Sequence, residues 1–177
     1  MRIKARMGMS ADGFVSNADG VPAIALAQDF SPGLSHGYLD FISGCDAAVM
    51  GRSTFVPALG APTWPWDDLQ VFVLTSSPLP PETPAHVVTS KGGVSGLIDQ
   101  IRQRGSDGDV RLVGGPQTIR AFHDLGALDV LELVIVPLML GKGLRLWSAD
   151  AASPSLRLQQ PPRSFADGSV EISYSTS

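Results

Sequence analysis

Cysteine is nearly absent from this 177-residue chain, and the one present, Cys45, has no partner with which to close an internal disulfide. A disulfide-stapled scaffold is therefore excluded, and a reducing, cytoplasmic compartment is expected. The opening MRIKARMGMSADG carries no apolar run of signal-peptide length. Long hydrophobic runs are scarce as well. The longest, around Val130 to Leu140, is interrupted by Glu132 and Pro137, well short of the roughly 20 residues that a membrane helix requires. Positive charge is sparse, 13 Lys and Arg against 17 Asp and Glu for a net charge of -4, and the cations are scattered. No basic stripe exists to neutralise a nucleic-acid backbone, so neither a membrane nor nucleic acid is an expected partner.

Several signatures of chemistry are missing too. No G-x-G-x-x-G follows the first strand and no G-x-x-x-x-G-K-S/T loop occurs, which removes the ordinary Rossmann fingerprint and the P-loop. His36, His86 and His123 have no i,i+4 pairing and no Cys partner that would hold zinc, so no metal site is expected. Cys45 has no neighbouring base and borders an apolar strand, which reads as a small buried side chain. There is no serine-hydrolase elbow.

What is present is an ordinary globular composition, 44% hydrophobic and 17% charged. This length buries roughly two-thirds of the unfolded surface, and a single domain over 1–177 is expected. A strand over Arg2–Met9 runs into the turn Ser10-Ala11-Asp12-Gly13. A long loop follows to Ser31-Pro32-Gly33, and then an amphipathic helix over Leu34–Ser43 with Gly44 as its stop. Asp46–Met50 reads as a buried strand leading to a helix that begins near Ser53. Val71–Leu74, His86–Thr89 and Val110–Val113 are further strands, with helices near Val94–Arg104 and from Gly115 through Phe122. Strand and helix alternate, as in a largely parallel sheet. Beyond Leu128 only strands appear, Val130–Val136, Leu156–Gln160 and Ser169–Ser175, so the sheet is expected to finish antiparallel.

Three strand ends carry turns suited to anions: Gly51-Arg52-Ser53-Thr54, Thr75-Ser76-Ser77 and Gly114-Gly115-Pro116-Gln117-Thr118. In an open parallel sheet they share the edge where ligands bind. Glycine lets a ligand approach backbone N–H groups, and a helix N-terminus presents those donors with a dipole that favours phosphate. Arg52 adds a fixed positive charge. Each turn alone is an ordinary turn; three at consecutive strand ends point to a phosphate-bearing ligand.

The ordered set Ser10-Ala11-Asp12-Gly13-Phe14, Val49–Phe55, Leu74–Ser77, Val113-Gly114-Gly115 and Pro137-Leu138-Met139-Leu140-Gly141-Lys142-Gly143 spans most of the chain and resembles the dihydrofolate-reductase-like superfamily. The Ser-x-Asp-Gly and Pro-x-x-Leu-Gly-x-Gly turns are most similar to the reductase domain of the bifunctional riboflavin-biosynthesis deaminase-reductase and its stand-alone bacterial relatives. The resemblance implies a three-layer α/β fold, with helices on both faces of a central, mainly parallel sheet that ends in antiparallel strands. It also implies NADPH as cofactor and a homodimer. By the same resemblance Gly51, Arg52, Ser53 and Thr54 contact the pyrophosphate and adenosine phosphate. Thr75, Ser76 and Ser77 line the adenosine ribose with its 2′-phosphate, and Gly114, Gly115, Gln117 and Thr118 cradle the pyrophosphate.

On the substrate side, Asp12 is the carboxylate expected to bind or protonate a polar ring or ribityl chain, although Asp-Gly is also among the commonest turn dipeptides. Asp40 lies on the helix that matches the pterin-binding helix of dihydrofolate reductase, and otherwise reads as a solvated acid. Trp66, in Trp64-Pro65-Trp66, can stack on a heterocycle or cap a core. Lys142, between two glycines, can reach a substrate phosphate as the resemblance suggests, or simply be solvated. The expected activity is an NADPH-dependent reductase acting on a small polar substrate of the 5-amino-6-(5-phosphoribosylamino)uracil type, with the Asp12–Gly33 loop as a mobile lid. The alternatives are a dihydrofolate or pterin reductase, or a non-catalytic nucleotide-binding protein on the same fold.

Overall fold

A computed structural model describes residues 1–27, 36–147 and 155–176. In chain order its strands are β1 (Ile3–Ser10), β2 (Phe14–Ser16), β3 (Cys45–Gly51), β4 (Gln70–Leu74), β5 (Val88–Thr89), β6 (Asp109–Gly114), β7 (Val130–Val136), β8 (Leu144–Arg145), β9 (Arg157–Leu158), β10 (Arg163–Ser164) and β11 (Val170–Ser175). Its α-helices are α1 (Tyr38–Ile42), α2 (Arg52–Ala58), α3 (Gly93–Gln103) and α4 (Pro116–Asp124). The chain divides into two compact units: unit 1 comprises Met1–Ala5 with Gly44–Leu128, and unit 2 comprises Arg6–Ser43 with Asp129–Ser177. The class is α/β, with a parallel ladder in unit 1 and antiparallel pairing in unit 2.

Unit 1 is the parallel ladder. The first residues of β1 pair with β6 through Ile3↔Val110 and Ala5↔Leu112. β6 pairs with β3, β3 with β4 through Val49↔Phe72, and β4 with β5 through Phe72↔Val88, all in the same direction. Ala47–Met50 and Val71–Val73 are almost wholly inaccessible to water, which is why both segments read as unbroken apolar runs rather than alternating ones. Ala48, Met50, Phe55 of α2, Trp66, Val71 and Val73 form one apolar cluster. Helix α3 buries Leu97, Ile98 and Ile101, and α4 buries Ile119 and Phe122, each a single stripe at helical spacing. Gly96 is the one residue type that fits its place in α3, because a Cβ there would lie 1.8 Å from the Lys91 carbonyl oxygen.

Unit 2 is antiparallel. β11 pairs with β7 over six residues, from Val170↔Ile135 to Ser175↔Val130, and also carries the short strands β9 and β10. β2 pairs with β8 through Phe14↔Arg145. The expected helix over Leu34–Ser43 appears as α1, with Gly44 just beyond its end at φ +76, while residues 34 and 35 lie outside the described residues. The stretch read as one long mobile loop is different in its described part. Residues 14–16 form β2, and the 3-10 turn Ala23–Leu26 buries Ala23 against Val134 and Val136. The sequence signal was weak because a three-residue strand and a four-residue turn are too short to show a period. Residues 28–33 of that loop lie outside the described residues.

Candidate functional site

The strands of unit 1 end together. Gly51, the last residue of β3, is the register partner of Leu74, the last of β4, and Met50 is the partner of Gly114, the last of β6. Because β3, β4 and β6 are adjacent and parallel, their carboxyl ends lie on one rim. The turns 51–54, 75–77 and 114–118 that the sequence singled out therefore come together. The register between β3 and β6 shifts between Val49 and Met50, so Val113 is an extra residue that feeds β6 into Gly114-Gly115.

The rim is built from backbone and small hydroxyls. Gly114 has φ +136, a conformation that side chains disfavour, and its peptide bond to Gly115 is cis. Gly115 caps α4 in an extended conformation, and no heavy atom lies within 4 Å of where a Cβ would stand, so the backbone is open to a ligand at this point. Pro116, first in α4, has no N–H of its own, and Gln117 next to it is exposed. Gly51 faces the same seam: a Cβ on it would stand 3.3 Å from Thr118 Oγ1. Thr118 itself is 6% exposed and fills that seam rather than facing solvent, which corrects the expectation that it meets a ligand directly.

Arg52 places a cation on the rim. Its Nη1 donates to the Pro78 carbonyl, which ties the guanidinium to the turn after β4. That turn is closed by its own hydroxyl, since the Ser77 N–H donates to Thr75 Oγ1 at 3.1 Å. Thr75 thus shapes the turn, while Ser76, Ser77 and, across the rim, Ser53 are exposed and Thr54 is half-buried. The sequence reading missed the end of β5. Val73 and Thr89 are register partners, the Ser90 N–H donates to the Val73 carbonyl at 3.0 Å, and the Thr75 N–H donates to Ser90 Oγ at 3.3 Å. Ser90 and exposed Lys91 are therefore a fourth turn on the rim. The signal was available: Ser90-Lys91-Gly92-Gly93 follows a strand and precedes a helix as the other turns do.

In unit 2, Asp12 is surrounded by donors. Its Oδ1 accepts from Ser10 Oγ at 2.6 Å and from the Leu140 N–H at 3.1 Å, and its Oδ2 from the Gly141 N–H at 2.7 Å. The Ser10 hydroxyl above all, with those amides, holds the carboxyl at a pKa of about 2. Asp12 is therefore ionised at neutral pH and has no proton to donate. Lys142 is exposed at the tip of the same turn, and Arg145 lies over the Phe14 ring at 4.2 Å. Asp40 is 75% exposed in its side chain and pairs with Arg163 Nη1 at 3.1 Å, a surface ion pair rather than a ring-binding acid.

Trp66, placed by the sequence among candidate stacking residues, belongs to unit 1 and is 7% exposed. It packs edge-on to Trp64 at 5.0 Å, and Trp64 does the same to Phe55 at 5.7 Å. Of the two expectations, stacking on a heterocycle or capping a core, the structure shows the second: the aromatic mass is spent on the apolar cluster. Among the described residues no group of three or more His, Cys, Asp or Glu side chains is arranged to hold a metal ion. No helix among them is long and apolar enough to cross a membrane.

Comparison with known proteins places this arrangement. The curated relative YwjB of Bacillus subtilis (strain 168), an uncharacterized protein, is 28% identical over 156 residues, 86% of each chain. Among solved structures, a putative riboflavin biosynthesis protein from Shewanella sp. PV-4 superposes with a TM-score of 0.83 at 21% identity, covering 100% of this chain and 99% of that one. The diaminohydroxyphosphoribosylaminopyrimidine deaminase/5-amino-6-(5-phosphoribosylamino)uracil reductase of Thermotoga maritima gives a TM-score of 0.72 at 16% identity. It matches 99% of this chain, which spans 56% of that protein. A pyrimidine reductase-like protein from Corynebacterium diphtheriae gives 0.68 at 16% identity over 99% of this chain and 92% of that one. At these identities the structures speak to the fold, which is that of the riboflavin-type reductase domains. The model of the RibD C-terminal domain matches residues 2–162, and the chain belongs to that family.

Proposed function

We propose that this protein is an NADPH-dependent reductase that holds the dinucleotide along the rim of unit 1 and reduces a small, polar, phosphate-bearing substrate of the 5-amino-6-(5-phosphoribosylamino)uracil type. The observation that carries the reading is the shared rim: Gly51, Leu74 and Gly114 end three adjacent parallel strands in register. The family, and relatives named as riboflavin biosynthesis and pyrimidine reductase proteins, support the substrate class.

The residues fit a dinucleotide phosphate by their chemistry. Open backbone at Gly115 and the first turn of α4 suit a pyrophosphate, which gains from amide donors and a helix N-terminus. Arg52, tied to the Pro78 carbonyl, and the exposed residues Ser76 and Ser77 that precede Pro78 offer a donor set for a 2′-phosphate. Lys91, on the adjoining turn, adds charge to the same end. The bound nicotinamide supplies the hydride; this chain supplies position and charge. Among the described residues Asp40 is taken up by its surface ion pair with Arg163, which does not favour a pterin site.

Titration of the protein with NADPH and with NADH, followed by fluorescence, tests the reading with Arg52→Ala as control. A charge-assisted phosphate contact is worth about 1.5–3 kcal/mol, so NADPH affinity should fall roughly 10- to 150-fold in Arg52→Ala while that for NADH stays the same. Equal, weak binding of both dinucleotides to the unaltered protein defeats the proposal.

A further inference from the structure

The Pro137–Gly143 turn of unit 2 is fixed from two sides. On one side Asp12 accepts the successive N–H groups of Leu140 and Gly141, and the Ala11 N–H donates to the Leu138 carbonyl at 2.9 Å. Successive amides converging on one anion form a nest, and here the anion is the protein's own carboxylate. On the other side Gly143 has φ +144, and a Cβ on it would stand 1.9 Å from the Ser16 carbonyl oxygen. Beneath the turn, Leu138 and Leu140 pack on Ala23, Val134 and Val136. Lys142 sits between the two clamped points with its side chain exposed. A carboxylate has about four acceptor positions, and protein donors occupy three of those on Asp12.

We propose that Asp12 is a positioning residue rather than an acid: it fixes the Pro137–Gly143 turn so that Lys142 is held ready for the anionic end of the substrate. The substrate half of this inference rests on the reductase reading; the clamp on the turn does not. Asparagine is nearly isosteric with aspartate, yet it brings an NH2 against one of the two amides that now share a carboxylate. Asp12→Asn therefore loosens the turn without emptying the site.

Two measurements on the full chain test the proposal. Amide hydrogen exchange should show Leu140 and Gly141 losing protection in Asp12→Asn while β7 and β11 keep theirs. With NADPH and 5-amino-6-(5-phosphoribosylamino)uracil, Asp12→Asn and Lys142→Ala should each raise KM about tenfold and leave kcat and its pH dependence as in the unaltered protein. The double variant should be no worse than either single one, because the first substitution acts through the second residue. Unchanged protection at 140 and 141, fully additive losses in the double variant, or a changed pH dependence of kcat in Asp12→Asn each overturns the proposal. If the unaltered protein binds NADPH yet leaves this substrate unreduced, the reductase reading and the substrate half fall together, and amide exchange alone decides the clamp.

Discussion

Replacing Arg6 by methionine should destabilise the protein far more than the loss of one charged side chain from a strand ordinarily does. Arg6 is 8% exposed in its side chain, and it lies in β1 among acids that are equally hidden. Its Nη1 is 3.0 Å from Glu171 Oε2 and also pairs with Glu132, and its Nη2 donates to the His36 carbonyl. Burial is strong enough to lower the guanidinium's affinity for its proton, with Glu171 opposing that shift. Methionine fills the volume but leaves Glu132 without that cation and leaves Glu171, among the described cations, with half-exposed Arg163, 3.1 Å away. Uncovering a buried charge by removing its partner costs about 3–5 kcal/mol. The partial cover from Arg163 favours the lower end. At about 2–4 °C per kcal/mol for a chain of this size, Tm should fall by roughly 6–20 °C. Urea unfolding should show the same loss at unchanged m, and adding Glu132→Gln to the variant should recover part of it. A loss below about 1 kcal/mol, or no recovery in the double variant, refutes the claim that these charges depend on one another.

Other outcomes follow from the same coordinates. Asp12 has its carboxyl pKa lowered from 3.8 to about 2, so its contribution to stability is complete above pH 3.8 and is lost as pH falls through about 2. The stability gap between the unaltered protein and Asp12→Asn, read by urea unfolding, should therefore close between about pH 4 and pH 2. Gly143→Ala forces a Cβ against the Ser16 carbonyl at 1.9 Å in a left-handed conformation, and thermal unfolding should show a loss of at least about 2 kcal/mol. Trp66→Ala should cost about 3–5 kcal/mol as a core cavity and leave the substrate KM per folded molecule unchanged; a selective rise in KM would return Trp66 to the substrate site.

The legible parts of this fold were those whose physics is local. β3, β4 and β6 are apolar runs that stop at glycine or hydroxyl residues, and buried parallel strands look like this whatever surrounds them. Parallel direction then follows from the alternating helices, and the shared rim follows from parallel direction. What the sequence hid was set by partners far along the chain. Asp12 reads as a substrate carboxylate or an Asp-Gly turn residue because the amides it accepts come from Leu140 and Gly141. Arg6 carries no local signal within the Arg2–Met9 strand, since Glu132 and Glu171 arrive from the C-terminal strands. Trp66 sits among prolines, where stacking on a ligand and capping a core both stay open until Phe55 and Trp64 are placed beside it.

A crystal structure with NADPH bound tests the account most directly. The pyrophosphate should lie against Gly51 and Gly114–Gln117, and the 2′-phosphate beside Arg52, Ser76 and Ser77. Phosphates seated away from the carboxyl ends of β3, β4 and β6 would contradict it.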